Sequence, residues 1–206
     1  MKMLHVPRIE YPSGILGGSA VSVNEYIPGD KIIGVLRNRK GSVYSRPFSI
    51  LFFLRDGVID ERLLSPMQTA AAWASGIADE LEITLTKVDV SLDTNYQYAR
   101  LNLDMMVAAA VGGTYQYMYF PPGGSSRLNI IRYTGKDLLL PTEKFIILPA
   151  WREEMNLVVK RSAITSIKQR DERITVMAGG HELSVNLTLD ELVERLGGAA
   201  NTELER

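Results

Sequence analysis

The stretch NYQYARLNLDMMVAAAVGG, residues 95–113, decides the fold because it fits two incompatible patterns. NYQYARLNLDMM alternates in the manner of a strand, whereas LDMMVAAAVGG is built from helix formers and closes on a Gly-Gly pair that commonly stops a helix. The reading adopted is a helix over about residues 95–111. With TYQYMYF, residues 114–120, as the next strand, and PPGGSS turning into RLNIIRY, this places a helix between two strands.

Upstream lies a better-marked helix. Ser65 is a candidate N-cap, Pro66 suits the first turn and Gln68 completes a capping box. Met67, Ala70, Ala71, Ala74, Ile77, Ala78 and Leu81 then recur at helical spacing. LEITLTKVDVSL follows as a strand whose apolar phase moves near Lys87, which predicts a bulge or a change of covered face. The first sixty residues carry short β-branched or aromatic runs at Ala20 to Tyr26, Lys31 to Leu36 and Val43 to Leu54. Of these, FSILFFL is apolar at both alternating phases and predicts a strand covered on two sides.

After Gly135-Lys136-Asp137, the runs KFIILP, NLVVKR, AITSIKQR, RITVMAG and HELSVNL predict short antiparallel strands. Thr188 and Glu191 then form a capping box, with Leu189, Leu192, Val193 and Leu196 as the stripe and Gly197-Gly198 as the stop. The expected fold is α+β: a mixed sheet with two or three helices, then a mainly antiparallel β unit closed by a C-terminal helix. Residues 1–135 and 136–206 are the expected regions, either as two units or as one domain.

An apolar content of 46% over 206 residues supports a sizeable core, and a net charge of -1 gives no global attraction to nucleic acid or anionic lipid. Cysteine is absent, which removes disulfides, thiol nucleophiles and thiolate metal sites together. No apolar run approaches the roughly 18 residues of a membrane span. The expectation is a protein without membrane association, cytoplasmic as synthesised.

Tyr-Gln-Tyr occurs twice, at Tyr96 to Tyr98 and at Tyr115 to Tyr117. In a strand over residues 114–120, Tyr115, Tyr117 and Tyr119 share one face, with Arg127 and Arg132 in the following segment. Such a face can stack nucleic-acid bases beside a basic groove, or pack in a core or at a subunit contact. These five residues are the candidate interaction site.

Other motifs carry less. The glycine-rich YPSGILGGSAVS lacks the spacing of a phosphate or dinucleotide loop and reads as a turn-forming arm able to reach a neighbouring subunit. Asp56, Asp60 and Glu61 in RDGVIDE form the densest carboxylate group, either a Mg²⁺-binding or acid-base cluster or a polar turn leading into a helix. His5 and His181 are the only histidines, and no nucleophile elbow is present. Basic residues gather at Arg37, Arg39 and Lys40, and again at Lys160, Arg161, Lys168, Arg170 and Arg173, the second group being interrupted by Asp171 and Glu172.

The segment RSAITSIKQRDERITVMAGGHELSVNLTLDELVERLGG resembles small bacterial β-β-β-α modules of the flagellar FlbD type and the opening of LytTR-type DNA-binding domains. The likeness covers about a fifth of the chain and carries no function across, because the strands that follow the helix in the LytTR family are missing.

Taken together, the expected function is that of a non-enzymatic structural or assembly protein contacting copies of itself or other proteins, as a virion or tail component would, without catalytic residues, cofactor or metal. The alternative is a nucleic-acid-binding regulator using the tyrosine face and the basic groups. The third is a carboxylate-dependent metal enzyme at Asp56 and Asp60.

Overall fold

The computed structural model describes residues 2–10, 21–38, 49–64, 76–90, 96–113, 116–122, 129–134, 143–151 and 154–197. The N-terminal half contributes β1 (Met3–Glu10), β2 (Val21–Pro28), β3 (Ile32–Asn38), β4 (Ser49–Arg55), β5 (Val58–Leu64), helix α1 (Gly76–Leu81), β6 (Thr86–Val90) and β7 (Tyr96–Leu101). There follow β8 (Ala108–Val111), β9 (Gln116–Tyr119), β10 (Ile130–Thr134), β11 (Phe145–Pro149) and β12 (Asn156–Lys160). The chain then forms β13 (Ile164–Arg170), β14 (Arg173–Ala178), β15 (His181–Val185) and helix α2 (Leu189–Arg195).

The α+β expectation is overturned. Ten strands form one antiparallel sheet in the order β11-β12-β8-β9-β10-β6-β7-β3-β4-β5, and the described residues contain only two α-helices. The error begins in residues 95–113. The first part is β7, paired on one side with β3 and on the other with β6, and its alternation buries Ala99 and Leu101 on one face. A single 3-10 turn over Leu103–Met105, capped by the Asn102 side chain on the Asp104 N–H, separates it from β8.

In β8 the alanines are buried on both faces: Ala109 joins one core, while Ala108 and Ala110 join another. Tertiary burial therefore overrides the helical propensity of Ala, and small side chains let layers approach from either side. Gly112, at φ 97, ends a strand rather than a helix.

A second misreading lies at Asp56-Gly57. These residues have φ 51 and 78, and Arg55 pairs with Val58, so the segment taken for a polar turn into a helix is a two-residue hairpin joining β4 to β5. Of the helix expected from Ser65, the capping box and residues 65–75 lie outside the described residues; Gly76–Leu81 is helical and buries Ile77, Ala78 and Leu81.

The ten-stranded sheet curls around one core. Ile33, Phe52, Val88, Leu101, Met118, Phe120, Ile131, Tyr133 and Phe145, drawn from nearly its whole width, form a single cluster. Phe52 meets Phe120 edge to face at 6.4 Å, and the Ile59 N–H of the edge strand donates to Pro122 O.

The opposite face is covered at two places. The β1–β2 ribbon and α1 cover one end through Leu4, Val6, Ile27, Ile77 and Leu81, packed on Val35, Leu51 and Phe53. The sheet β13-β14-β15 with α2 covers the other, through Ile167, Val176, Leu183 and Leu192 against Ala108, Ala110, Leu148, Leu157 and Val159. The large sheet runs across residue 136, since β12 pairs with β8 through Asn156↔Val111 to Val159↔Ala108. No helix among the described residues is long and apolar enough to cross a membrane.

Candidate functional site

Register brings three of the five expected interaction residues together. Arg132 on β10 lies opposite Tyr117 on β9, and Ile130 lies opposite Tyr119, so the two tyrosines and Arg132 share the outer face of the sheet. Tyr115 and Arg127 lie outside the described residues. Tyr117 and Tyr119 are half-buried against the core under the three-stranded sheet, and the Tyr119 ring meets His181 edge-on at 5.3 Å. Burial, and the neighbouring Tyr117, raise the pKa of the Tyr119 phenol above its ordinary value. His181 is buried with its Nε2–H donated to Phe120 O, which locks the β14–β15 hairpin onto the large sheet.

The carboxylates of RDGVIDE do not converge. Asp56 is exposed in the hairpin turn, and Asp60 and Glu61 occupy successive positions of β5, hence opposite faces. Asp60 is held by Arg62 Nη1 at 2.9 Å and Arg55 Nε at 3.3 Å. Glu25 on β2 takes Arg62 Nε at 2.6 Å and also pairs with Arg55. Both guanidinium groups lie 5.5 Å from the centre of the Phe53 ring. Two arginines and two carboxylates thus tie the N-terminal ribbon to β4 and β5.

Burial opposes ionisation of Asp60, but hydrogen bonds from Arg62 and the Glu61 N–H, with the charges of Arg62 and Arg55, hold its pKa below the usual carboxylate value. Among the described residues no group of three or more His, Asp or Glu side chains is placed to hold a metal ion.

The basic groups seen in the sequence are partly engaged. Lys160 Nζ donates to Asp104 O, Lys168 pairs with Glu182 at 3.7 Å, and Arg173 donates to Ser184 Oγ. The register also gathers a group of cations, of which Arg37 and Arg132 are singled out by the sequence and Lys87 and Arg100 are not. Lys87 on β6 lies opposite Arg100 on β7, Arg37 follows on β3 and Arg132 on β10, all on the face between the two covers. These residues are scattered between positions 37 and 132 of the sequence, so only strand pairing shows that they share a face.

The surface feature that sequence reading missed is at the ends of the large sheet. Leu63 on β5 is 63% exposed, Ile147 on β11 is 56% exposed, and Trp151, just past β11, is 48% exposed. Among the described strands of the large sheet, β5 and β11 are the two terminal ones. The edges are partly blunted: the outward N–H of Ile59 is taken by Pro122 O and that of Glu61 by its neighbour's Asp60 Oδ1. On β11 the end is closed by Asn186 N–H to Pro149 O and Trp151 N–H to Ser184 O. Among the described residues, no further strand pairs with the outer side of β11 over Phe145 to Leu148 or with that of β5 near Leu63. A signal was available, since KFIILPAW is apolar at both phases like FSILFFL, and Asp-Gly between apolar runs marks a hairpin.

No protein-family model, curated protein or solved structure matches this chain.

Proposed function

We propose that this protein is a non-enzymatic assembly component that contacts copies of itself through the two ends of its large sheet. The observation that carries this reading is the exposure of Leu63 on one terminal strand and of Ile147 on the other. Apolar side chains of that size on terminal strands are unusual, because an exposed apolar edge invites pairing with another chain. Contact of β5 in one copy with β11 in the next is heterologous, and such contacts close into rings or continue as filaments. A shell or tube, such as part of a virion, is built this way.

The ion-paired state of Asp60 favours this reading over a carboxylate-dependent enzyme, since its oxygens already serve two guanidinium groups. The test is the oligomeric mass of the chain and of Leu63→Lys and Ile147→Lys. The reading requires an oligomer that either substitution reduces to smaller species; an unchanged mass in both variants contradicts it.

One observation favours a second reading, in which the outer face binds a nucleic-acid backbone: Lys87, Arg100, Arg37 and Arg132 share that face across four adjacent strands, with Asp89 as an acidic neighbour on it. Phosphate contacts of this number imply an affinity that falls steeply with salt. Absence of binding to single- or double-stranded DNA and RNA at low salt removes this reading.

A further inference from the structure

An open groove of about 490 Å³ lies between the three-stranded sheet, the start of α2 and the end of β11. Its apolar lining comes from Trp151, Ile174, Leu187 and Leu189, and its carboxylates from Glu172 and Glu191. The other described lining side chains are neutral amides and a hydroxyl, and among the described residues neither Lys nor Arg lines the groove. The volume is within the range of about 300–1,000 Å³ typical of ligand sites.

The parts are fixed in place. Trp151 is pinned to β15 by its backbone N–H on Ser184 O at 3.0 Å, and an isolated bridge joins Ala150 to Val185. Glu172 sits in the tight β13–β14 turn, where Asp171 takes φ 54. Glu191, which lines the groove, accepts the Thr188 N–H and hydroxyl through Oε2. A half-exposed indole with two carboxylates and an aliphatic floor is complementary to a cation on an apolar stem: the indole face attracts the charge, the floor takes the methylenes and the carboxylates supply the counter-charge.

We infer that the Trp151 groove receives an arginine or lysine side chain from an exposed basic segment of a partner protein. This deepens the assembly reading, which it rests on, by naming the chemistry of a partner contact away from the β5 edge.

The test is titration of the intact chain with the blocked dipeptide N-acetyl-Leu-Arg-amide, following tryptophan fluorescence, with the citrulline dipeptide as neutral isostere. The expected result is a saturable change that disappears in Trp151→Leu. The apparent affinity should be about fivefold weaker for the citrulline dipeptide, and similarly weaker for Glu172→Gln with the arginine dipeptide, as one lost exposed charge contact allows. Glu172 is exposed in a turn, and an unchanged melting temperature in Glu172→Gln verifies that the fold is intact. No saturable change, or equal affinities for the arginine and citrulline dipeptides, overturns the inference. The two readings fail separately: a monomeric chain that prefers arginine loses only self-assembly, and an oligomer without that preference loses only the groove.

Discussion

Glu25 and Arg62 show how single residues hold the layers together. Both side chains are mostly buried, at 15% and 14% exposure, and removing one member leaves the other charge uncompensated. Glu25→Gln should therefore cost about 2 kcal/mol or more in urea unfolding, more than a surface ion pair would. Asp60 has a folded pKa below its ordinary 3.8, so its contribution is fully present above that value and is lost as pH falls through the folded pKa. Stability should drop on acidification below about pH 4, and Asp60→Asn, less stable at neutral pH, should lose less over the same interval.

Two glycines provide a steric contrast. A Cβ on Gly34 would lie 2.4 Å from Arg100 O and 2.8 Å from Leu101 Cδ2, whereas one on Gly57 meets nothing within 4 Å and only the positive φ of 78 opposes it. Gly34→Ala should cost about 3 kcal/mol, and Gly57→Ala about 1 kcal/mol, measured by the same unfolding assay.

Among the elements, α2 was the most legible: its capping box is formed as the sequence pattern required, with the Thr188 hydroxyl accepting the Glu191 N–H and the Glu191 carboxylate accepting the Thr188 N–H. Thr188→Ala should cost about 1 kcal/mol of stability, read from the melting temperature. The strands β11 to β15 were also legible, because each is a short alternating run between turn residues.

β7 and β8 were not, for a physical reason. Alanine and methionine favour helices when nothing packs on them, but Ala108, Ala109 and Ala110 are pressed between layers supplied by distant parts of the chain, information that a local window does not contain. The covering module follows from the same packing. Deleting residues 161–206 should expose Ala108, Ala110, Leu148, Leu157 and Val159 and yield aggregated protein, checked by solubility on expression.

On the scale of the molecule, sequence supplied the candidate tyrosine face but not what covers it. Tyr117 and Tyr119 lie beneath β13-β14-β15, while Ile147 resides in a run that looks like an ordinary core strand, and Leu63 in a charged run read as a turn into a helix, until strand order places both at the sheet's ends. Local pattern reports burial; only topology reports which strand is terminal. The same limit hid the shared face of Arg132, Lys87, Arg100 and Arg37 on β10, β6, β7 and β3, although Arg132 and Arg37 were named from the sequence.

The absolute mass in solution, measured by light scattering after size-exclusion chromatography over a range of concentrations, tests the assembly claim most directly. The prediction is a multiple of 22.9 kDa, reduced toward a single chain by Leu63→Lys or Ile147→Lys. A mass of 22.9 kDa at every concentration, indifferent to both substitutions, would contradict it.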